Sequence, residues 1–180
     1  MKHTFSTATV VAALALTFGS AAHAADGTIT FTGSISAQTC TINGNGSGGT
    51  DFTVTLPTVA ASALPSDGAT SGRTPFSIAV SGCSTKSGTV STWFEPGSNV
   101  DATSGLLKNT AAGGAANVQV GLLQNDGTTA VRPGITSQVA NIDGTTGDAK
   151  LDYFAQYVAT GGAAGSGAVS TSVTYSMVYN

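Results

Sequence analysis

Charge is scarce in this chain: only 8% of its residues are Asp, Glu, Lys or Arg. Histidine occurs only at His3 and His23, tryptophan only at Trp93 and cysteine only at Cys40 and Cys83. Each shortage excludes something. Beyond Lys2 the cations are Arg73, Lys86, Lys108, Arg132 and Lys150, five against nine acids, a net of −4. No basic patch for phosphates can be assembled from that, which excludes nucleic acid as a partner. With no histidine after residue 23, no His-based triad or acid–base pair is available. There is no Cys-x-x-Cys, no Gly-rich phosphate loop, and no Gly-x-Ser-x-Gly in a strand–turn–helix setting. Asp143 and Asp148 share a Gly/Thr loop but lack the regular spacing of a calcium site and read as a solvated turn. The expectation is a non-enzyme with no cofactor and no metal. No segment keeps an i, i+3, i+4 apolar pattern long enough for a helix, and no stretch beyond the leader is apolar enough to span a bilayer as one.

What is present begins with an export signal. Met1-Lys2-His3 is a short basic start, Thr4 to Phe18 is mostly apolar, and Ala22-His23-Ala24 is an A-x-A cleavage site. The apolar run is too short for a membrane anchor, for which about 20 residues are needed. Cleavage after Ala24 leaves Ala25 to Asn180, 156 residues, a size that fits one domain with a real core. Two cysteines in an exported chain read as one disulfide, Cys40–Cys83. A two-thiolate metal site is the alternative and lacks further ligands. The bridge closes a loop of about 44 residues, worth on the order of 4 kcal/mol by loop-closure entropy.

Behind the leader, Gly27 to Cys40 alternates strictly: Ile29, Phe31, Gly33, Ile35 and Ala37 on one side, Thr, Ser and Gln on the other. That is the period of a half-buried β-strand. Strand signals then recur between Gly-rich turns. Phe52, Val54 and Leu56 share a face, and Pro57 ends that run. Thr58 to Arg73 reads as a loop. Phe76, Ile78 and Val80 point inward, with Cys83 out of phase, so a bulge or strand end falls near Gly82. Thr89–Phe94, Asn117–Leu122, Lys150–Thr160 and Val169–Tyr179 follow, with Asn125-Asp126-Gly127 as a hairpin turn. Some seven short strands without helix predict an all-β protein, a sandwich of immunoglobulin-like type. Asn45-Gly46-Ser47 matches a glycosylation sequon and reads as a loop.

Four blocks together resemble the type-1-like fimbrial subunits, the pilins of the chaperone–usher pathway. They are Gly27–Ile42 with its interior Gly33 and Cys40; Phe76–Val80 followed by Cys83; Leu151–Gly161, with Phe154-Ala155-Gln156-Tyr157-Val158-Ala159-Thr160-Gly161; and Val173–Asn180 with a penultimate Tyr179. Their order and spacing carry the likeness over the whole chain after residue 24. The resemblance implies an incomplete immunoglobulin-like β-sandwich that lacks its last strand. It is completed by a donor strand, first from a periplasmic chaperone and then, at the outer-membrane usher, from the next subunit. The implied division is 1–24 signal peptide, 25–38 donor-strand extension and 39–180 pilin domain. Ile29, Phe31 and Ile35 become donor side chains, Gly33 fits where the groove is tight, and Val173, Tyr175, Met177 and Tyr179 border the groove. The carboxylate of Asn180 is the implied anchor for the chaperone. The product is an extracellular fimbrium, reached through the periplasm, that meets host-surface receptors as an assembled fibre.

Physical chemistry agrees with that implication. A missing strand exposes a sheet edge and an apolar trench, both aggregation hazards. Strand addition satisfies the edge and buries alternate side chains. Burial of Ile29, Phe31 and Ile35 contributes roughly 5–9 kcal/mol gross at about 1.5–3 each. Donor and groove on one chain that do not meet within it make a heterologous contact, which propagates into a filament. The expected role is the repeated shaft subunit. A minor or tip-associated pilin with a receptor-binding role is the alternative, though a two-domain tip adhesin needs a lectin domain for which 156 residues leave no room. Trp93 fits core or sandwich-end packing better than sugar stacking. A small outer-membrane barrel also uses period-2 strands but requires aromatic girdles that this chain's short, irregular strands do not supply.

Overall fold

The computed structural model describes residues 28–35 and 37–180. The expected signal peptide and its cleavage site lie outside the described residues. The chain divides into two units, Met1–Ile35 and Ser36–Asn180. Within the first, residues 28–35 form no strand, and Ile29, Phe31 and Ile35 are exposed. The alternation seen there is therefore a strand pattern without a strand.

The second unit holds nine strands among the described residues: β1 (Thr41–Gly44), β2 (Thr70–Ser81), β3 (Thr89–Phe94), β4 (Leu107–Lys108), β5 (Val118–Leu123), β6 (Ala130–Val131), β7 (Val139–Asn141), β8 (Ala149–Ala159) and β9 (Tyr175–Tyr179). One sheet runs β1-β2-β8-β5-β4, with β6 pairing β5; the other runs β7-β3-β9. All the pairings are antiparallel. β2 begins at Thr70, inside the stretch whose sequence reads as a loop. A register shift between Ser71 and Thr74 interrupts its pairing with β8, and that bulge is what hides the strand's first residues from a period-2 reading. Its other end matches expectation: β2 stops at Ser81, and Gly82 turns away with φ +59°.

Alternation places Phe76, Ile78 and Val80 of β2, Leu151, Tyr153 and Ala155 of β8, and Val90 and Phe94 of β3 in one core. Tyr153 is its centre. It is fully buried, stacks on Phe76 at 5.4 Å and meets Phe94 edge-on at 5.3 Å. A buried phenol needs a partner for its hydroxyl. Ser137 Oγ, 2.7 Å away, supplies it and donates in turn to the Thr92 carbonyl at 2.7 Å. This short chain links β8 of one sheet to β3 of the other, and burial raises the Tyr153 phenol above its ordinary value.

Cys40 and Cys83 are disulfide-bonded, with Cα atoms 4.2 Å apart. The bridge is braced by paired bonds. Thr39 N–H donates to Ser84 Oγ and Ser84 N–H to the Thr39 carbonyl. The Gln38 amide donates to the Thr85 carbonyl and accepts from its N–H.

Candidate functional site: a groove with two unpaired walls

An open apolar groove of about 920 Å³ runs along the second unit. Its floor includes Phe76, Phe94, Leu122, Ala155 and Tyr157. One wall is the segment from Thr50 to Leu56, the other the segment from Val169 to Met177. Both walls have the side-chain pattern of strands and mostly lack the pairing. Phe52, Val54 and Leu56 are half-buried while Asp51, Thr53 and Thr55 are exposed, yet residues 51–56 belong to no sheet. The strand expected there is absent as a paired strand. On the opposite wall, Val169, Thr171 and Val173 are half-buried between exposed Ser170, Ser172 and Thr174, and pairing begins only at Tyr175.

The second wall has one used and one unused edge. Thr89 and Asn180 exchange both backbone hydrogen bonds, and Glu95 N–H donates to the Thr174 carbonyl. In an antiparallel ladder, groups on alternate residues point to opposite edges. The even-numbered residues of β9 therefore bond toward β3. Upstream, the Ser170 carbonyl accepts from Thr110 N–H, and the Ser172 carbonyl accepts from the Asn99 amide. Odd-numbered residues from Val169 to Tyr179 turn their N–H and C=O groups to the other edge. Among the described residues these groups have no backbone partner. The same residues send their side chains inward. The edge is thus a strand-long row of free donors and acceptors above an apolar floor.

Val173, Tyr175 and Met177 line the groove; Tyr179 lies beyond the lining at the far end of β9, half-buried and opposite Val90. Tyr175 also spans the groove. Its hydroxyl donates to the Thr50 carbonyl at 2.7 Å, and its ring meets Phe52 edge-on at 6.1 Å. Burial, and then the negative charge of Asp51, raise its phenol above the ordinary value. Phe52 itself sits over Gly44, where a Cβ would overlap the ring. The first wall thus depends on a glycine at the end of β1.

Two features of the groove escape the sequence reading. One is that Thr50 to Leu56 is a wall and not a paired strand; its alternation signals a buried face and is silent on edge partners. The other is Thr171, whose Oγ1 is buried with no hydrogen-bond partner. Its inward phase with Val169 and Val173 is the signal that finds it.

Trp93 points out of the smaller sheet, half-buried, and its indole N–H is held by Glu95 at 3.0 Å. Asp143 is occupied by its own turn, accepting from Thr145 and Thr146 N–H at 2.8 Å each; those bonds lower its pKa. Asn45 occupies a turn with φ +50° directly after β1.

Comparison with known proteins agrees with this architecture. Residues 56–180 match the family model for type-1 fimbrial protein, A. The chain is 47% identical over 168 residues to the major fimbrial subunit SMF-1 of Stenotrophomonas maltophilia, covering 89% of this chain and 96% of that one. It is 40% identical over 177 residues to the F17 fimbrial protein of Escherichia coli, covering 94% and 96%. The fold is that of the P pilus rod subunit PapA, with a TM-score of 0.59 at 21% identity over 78% of this chain and 99% of that one. A subunit from a chaperone–usher pilus studied for rod uncoiling gives a TM-score of 0.59 at 20% identity over 87% and 96%. With its incomplete sandwich, its disulfide and these relatives, the chain belongs to the type-1 fimbrial protein family and is a structural subunit of a fimbria.

Proposed function

We propose that this chain is the repeated shaft subunit of a surface fimbria, and that residues 25–38 of each copy form the strand that fills the groove of the next. Residues 1–24 are a cleaved export signal and residues 39–180 the pilin domain. A periplasmic chaperone occupies the groove until the outer-membrane usher brings in the incoming extension. The chain has no catalytic role; any contact with a host receptor is made by the assembled fibre.

The observation that carries this reading is the groove with a free backbone edge on one wall and an unpaired segment on the other. Such an edge is an aggregation hazard unless something covers it. A strand between the walls meets both needs, since it pairs with the edge while alternate side chains enter the trench. Residues 28–35 have the matching alternation and expose three large apolar side chains.

Deletion of Ala25 to Ser36 tests the proposal. The shortened subunit is expected to fold and to co-purify with a chaperone but not to extend a fibre. Fibres of ordinary length from that variant would refute the donor role.

A further inference from the structure

Gln38 is, among the described residues, the first in chain order to hydrogen-bond elsewhere in the second unit. Its side-chain amide donates to the Thr85 carbonyl at 2.8 Å and accepts from the Thr85 N–H at 3.0 Å. A glutamine amide carries the same donor and acceptor as a peptide, so this side chain pairs with Thr85 as a neighbouring strand would. Its nitrogen also lies 3.7 Å from Cys40 Sγ. Thr39 and Ser84 exchange two further bonds, at 3.1 and 2.9 Å, and the Cys40–Cys83 bridge ends the row. Residues 38–40 are thus tied one by one to residues 83–85. The outer part of this row serves no core: Thr39, Ser84, Thr85 and the adjoining Lys86 are exposed, and Gln38 is half-buried.

The row lies at the base of the extension, and its position limits how far two copies can part. Gln38 follows Ile35 by three positions. A chain that advances at most 3.6 Å per residue spans no more than about 11 Å between them. With Ile35 seated in the groove of another copy, as proposed above, Gln38 of the donor lies within that reach of the acceptor. Thr85 is bonded to Gln38 and comes with it, and Lys86 follows. Side chains on the two facing surfaces close a gap of that size. The limit holds whichever way the strand runs in the groove. Were the amide of Gln38 absent, the tether would lengthen toward Cys40, five positions from Ile35, a reach of about 18 Å.

We infer that the corner formed by Gln38, Thr39, Ser84, Thr85 and Lys86 is a second contact surface between consecutive copies of this chain, seated on the rim of the acceptor's groove, and that the Gln38 amide is the positioning group that holds it there. This inference rests on the donor reading of residues 25–38. The apolar side chains of the extension supply the grip on the next copy. The short tether turns that grip into a defined joint between two domains.

Photo-crosslinking reads the contact. A benzoylphenylalanine probe is placed singly at Thr85 and at Lys86, both exposed, and assembled fibres are irradiated, dissociated and digested. Covalent dimers and higher multimers are expected, with the linked peptides falling in or beside residues 50–56 or 169–177 of the second copy. Fibres that give no cross-link from either probe, or only links remote from those segments, overturn the inference and leave the donor reading standing. The donor reading fails by a different result, fibres from the chain that lacks Ala25 to Ser36.

The part played by the amide is read with Gln38→Ala and Gln38→Glu. In the alanine variant the Thr85 N–H is expected to exchange about fivefold faster, the factor for one net hydrogen bond. Its fibres are expected to form, to show a shorter persistence length in electron micrographs and to give fewer cross-links from position 85. Gln38→Glu keeps an acceptor for the Thr85 N–H and is expected to recover part of both. A role confined to the stability of the single domain would move the exchange and leave the bending of the fibre unchanged. Gln38→Ala fibres that bend and cross-link as the unmodified ones do would overturn the positioning role.

Discussion

The Tyr175 hydroxyl donates a 2.7 Å hydrogen bond to the Thr50 carbonyl, joining two residues 125 apart in sequence across the groove. Thr50 leads into the first wall, where residues 51–56 have no sheet partner, and Tyr175 opens the paired part of the second wall. This bond and the Phe52–Tyr175 ring contact are direct ties between the walls. The closed side of the groove therefore rests on one aromatic residue, and its remaining length is free to receive a strand.

Tyr175→Phe keeps the ring and removes the bond. Thr50 is exposed, so water replaces the lost donor and the stability cost is small, about 0.5–1 kcal/mol. The larger effect falls on the wall. Limited proteolysis within residues 50–56 is expected to speed up in the variant, and an unchanged cleavage rate there would show that the bond does not hold the wall.

The Tyr153–Ser137–Thr92 chain predicts an order of severity. Ser137 Oγ donates to the Thr92 carbonyl, so Tyr153 is the donor to Ser137. Tyr153→Phe removes a donor whose acceptor keeps its other bond, costing about 1 kcal/mol. Ser137→Ala strands the buried phenol, at about 1–3 kcal/mol, and leaves the Thr92 carbonyl only the longer bond from the backbone N–H of residue 137 at 3.4 Å. Urea denaturation is expected to show Ser137→Ala as the more destabilised; the reverse order would contradict the network.

Removing the Cys40–Cys83 bridge by Cys→Ser substitution at both positions is expected to lower stability by about 4 kcal/mol, from the loop entropy of a 43-residue separation. The urea midpoint with and without reductant checks it on the unmodified chain. A shift below about 1 kcal/mol would mean that the bonds of Gln38 and Thr39 to residues 84–85 hold this corner unaided.

Stability against pH is expected to be flat in the middle and to fall at both ends. Asp101, Asp126 and Asp143 accept hydrogen bonds from their own turns, which lower their pKa values from 3.8, in the case of Asp126 to about 2. The folded state holds their protons less tightly than the unfolded chain. Their contribution is therefore present above the ordinary carboxylate value and lost as pH drops through the lowered ones. Burial raises Tyr153, Tyr157, Tyr175 and Tyr179 above 10.0. Their contribution is intact below pH 10 and lost as pH climbs toward the raised values, because the unfolded chain ionises first. Histidine, the side chain that ordinarily titrates near pH 6.5, stands only at positions 3 and 23. Melting temperature across pH 2 to 12 checks the profile, and Tyr153→Phe is expected to soften its alkaline limb.

Strands with both a buried face and a long partner were readable from sequence. Thr89–Phe94 has the bounds that its alternation indicates, and Ala149–Ala159 differs from Lys150–Thr160 by one residue at each end. Leu107–Lys108, Ala130–Val131 and Val139–Asn141 are too short to show a period. Residues 51–56 and 169–174 show the opposite failure, since period-2 burial records which way side chains point and says nothing about an edge partner. The pattern is right and the pairing is absent, and that mismatch is itself the mark of the groove. The Tyr175–Thr50 bond was not readable, because a contact between residues that distant leaves no local trace.

The central claim is that residues 25–38 of one copy complete the sandwich of another. The most direct measurement moves that segment. A chain starting at Ala37, with residues 25–38 appended after Asn180 through a short flexible linker, carries its own donor beside the free edge of β9. It is expected to be monomeric by sedimentation and to form no fibres. Its unfolding free energy is expected to exceed that of the same chain without the appended segment by several kcal/mol, within the roughly 5–9 kcal/mol gross from Ile29, Phe31 and Ile35. No gain in stability, or continued polymerisation, would contradict the account.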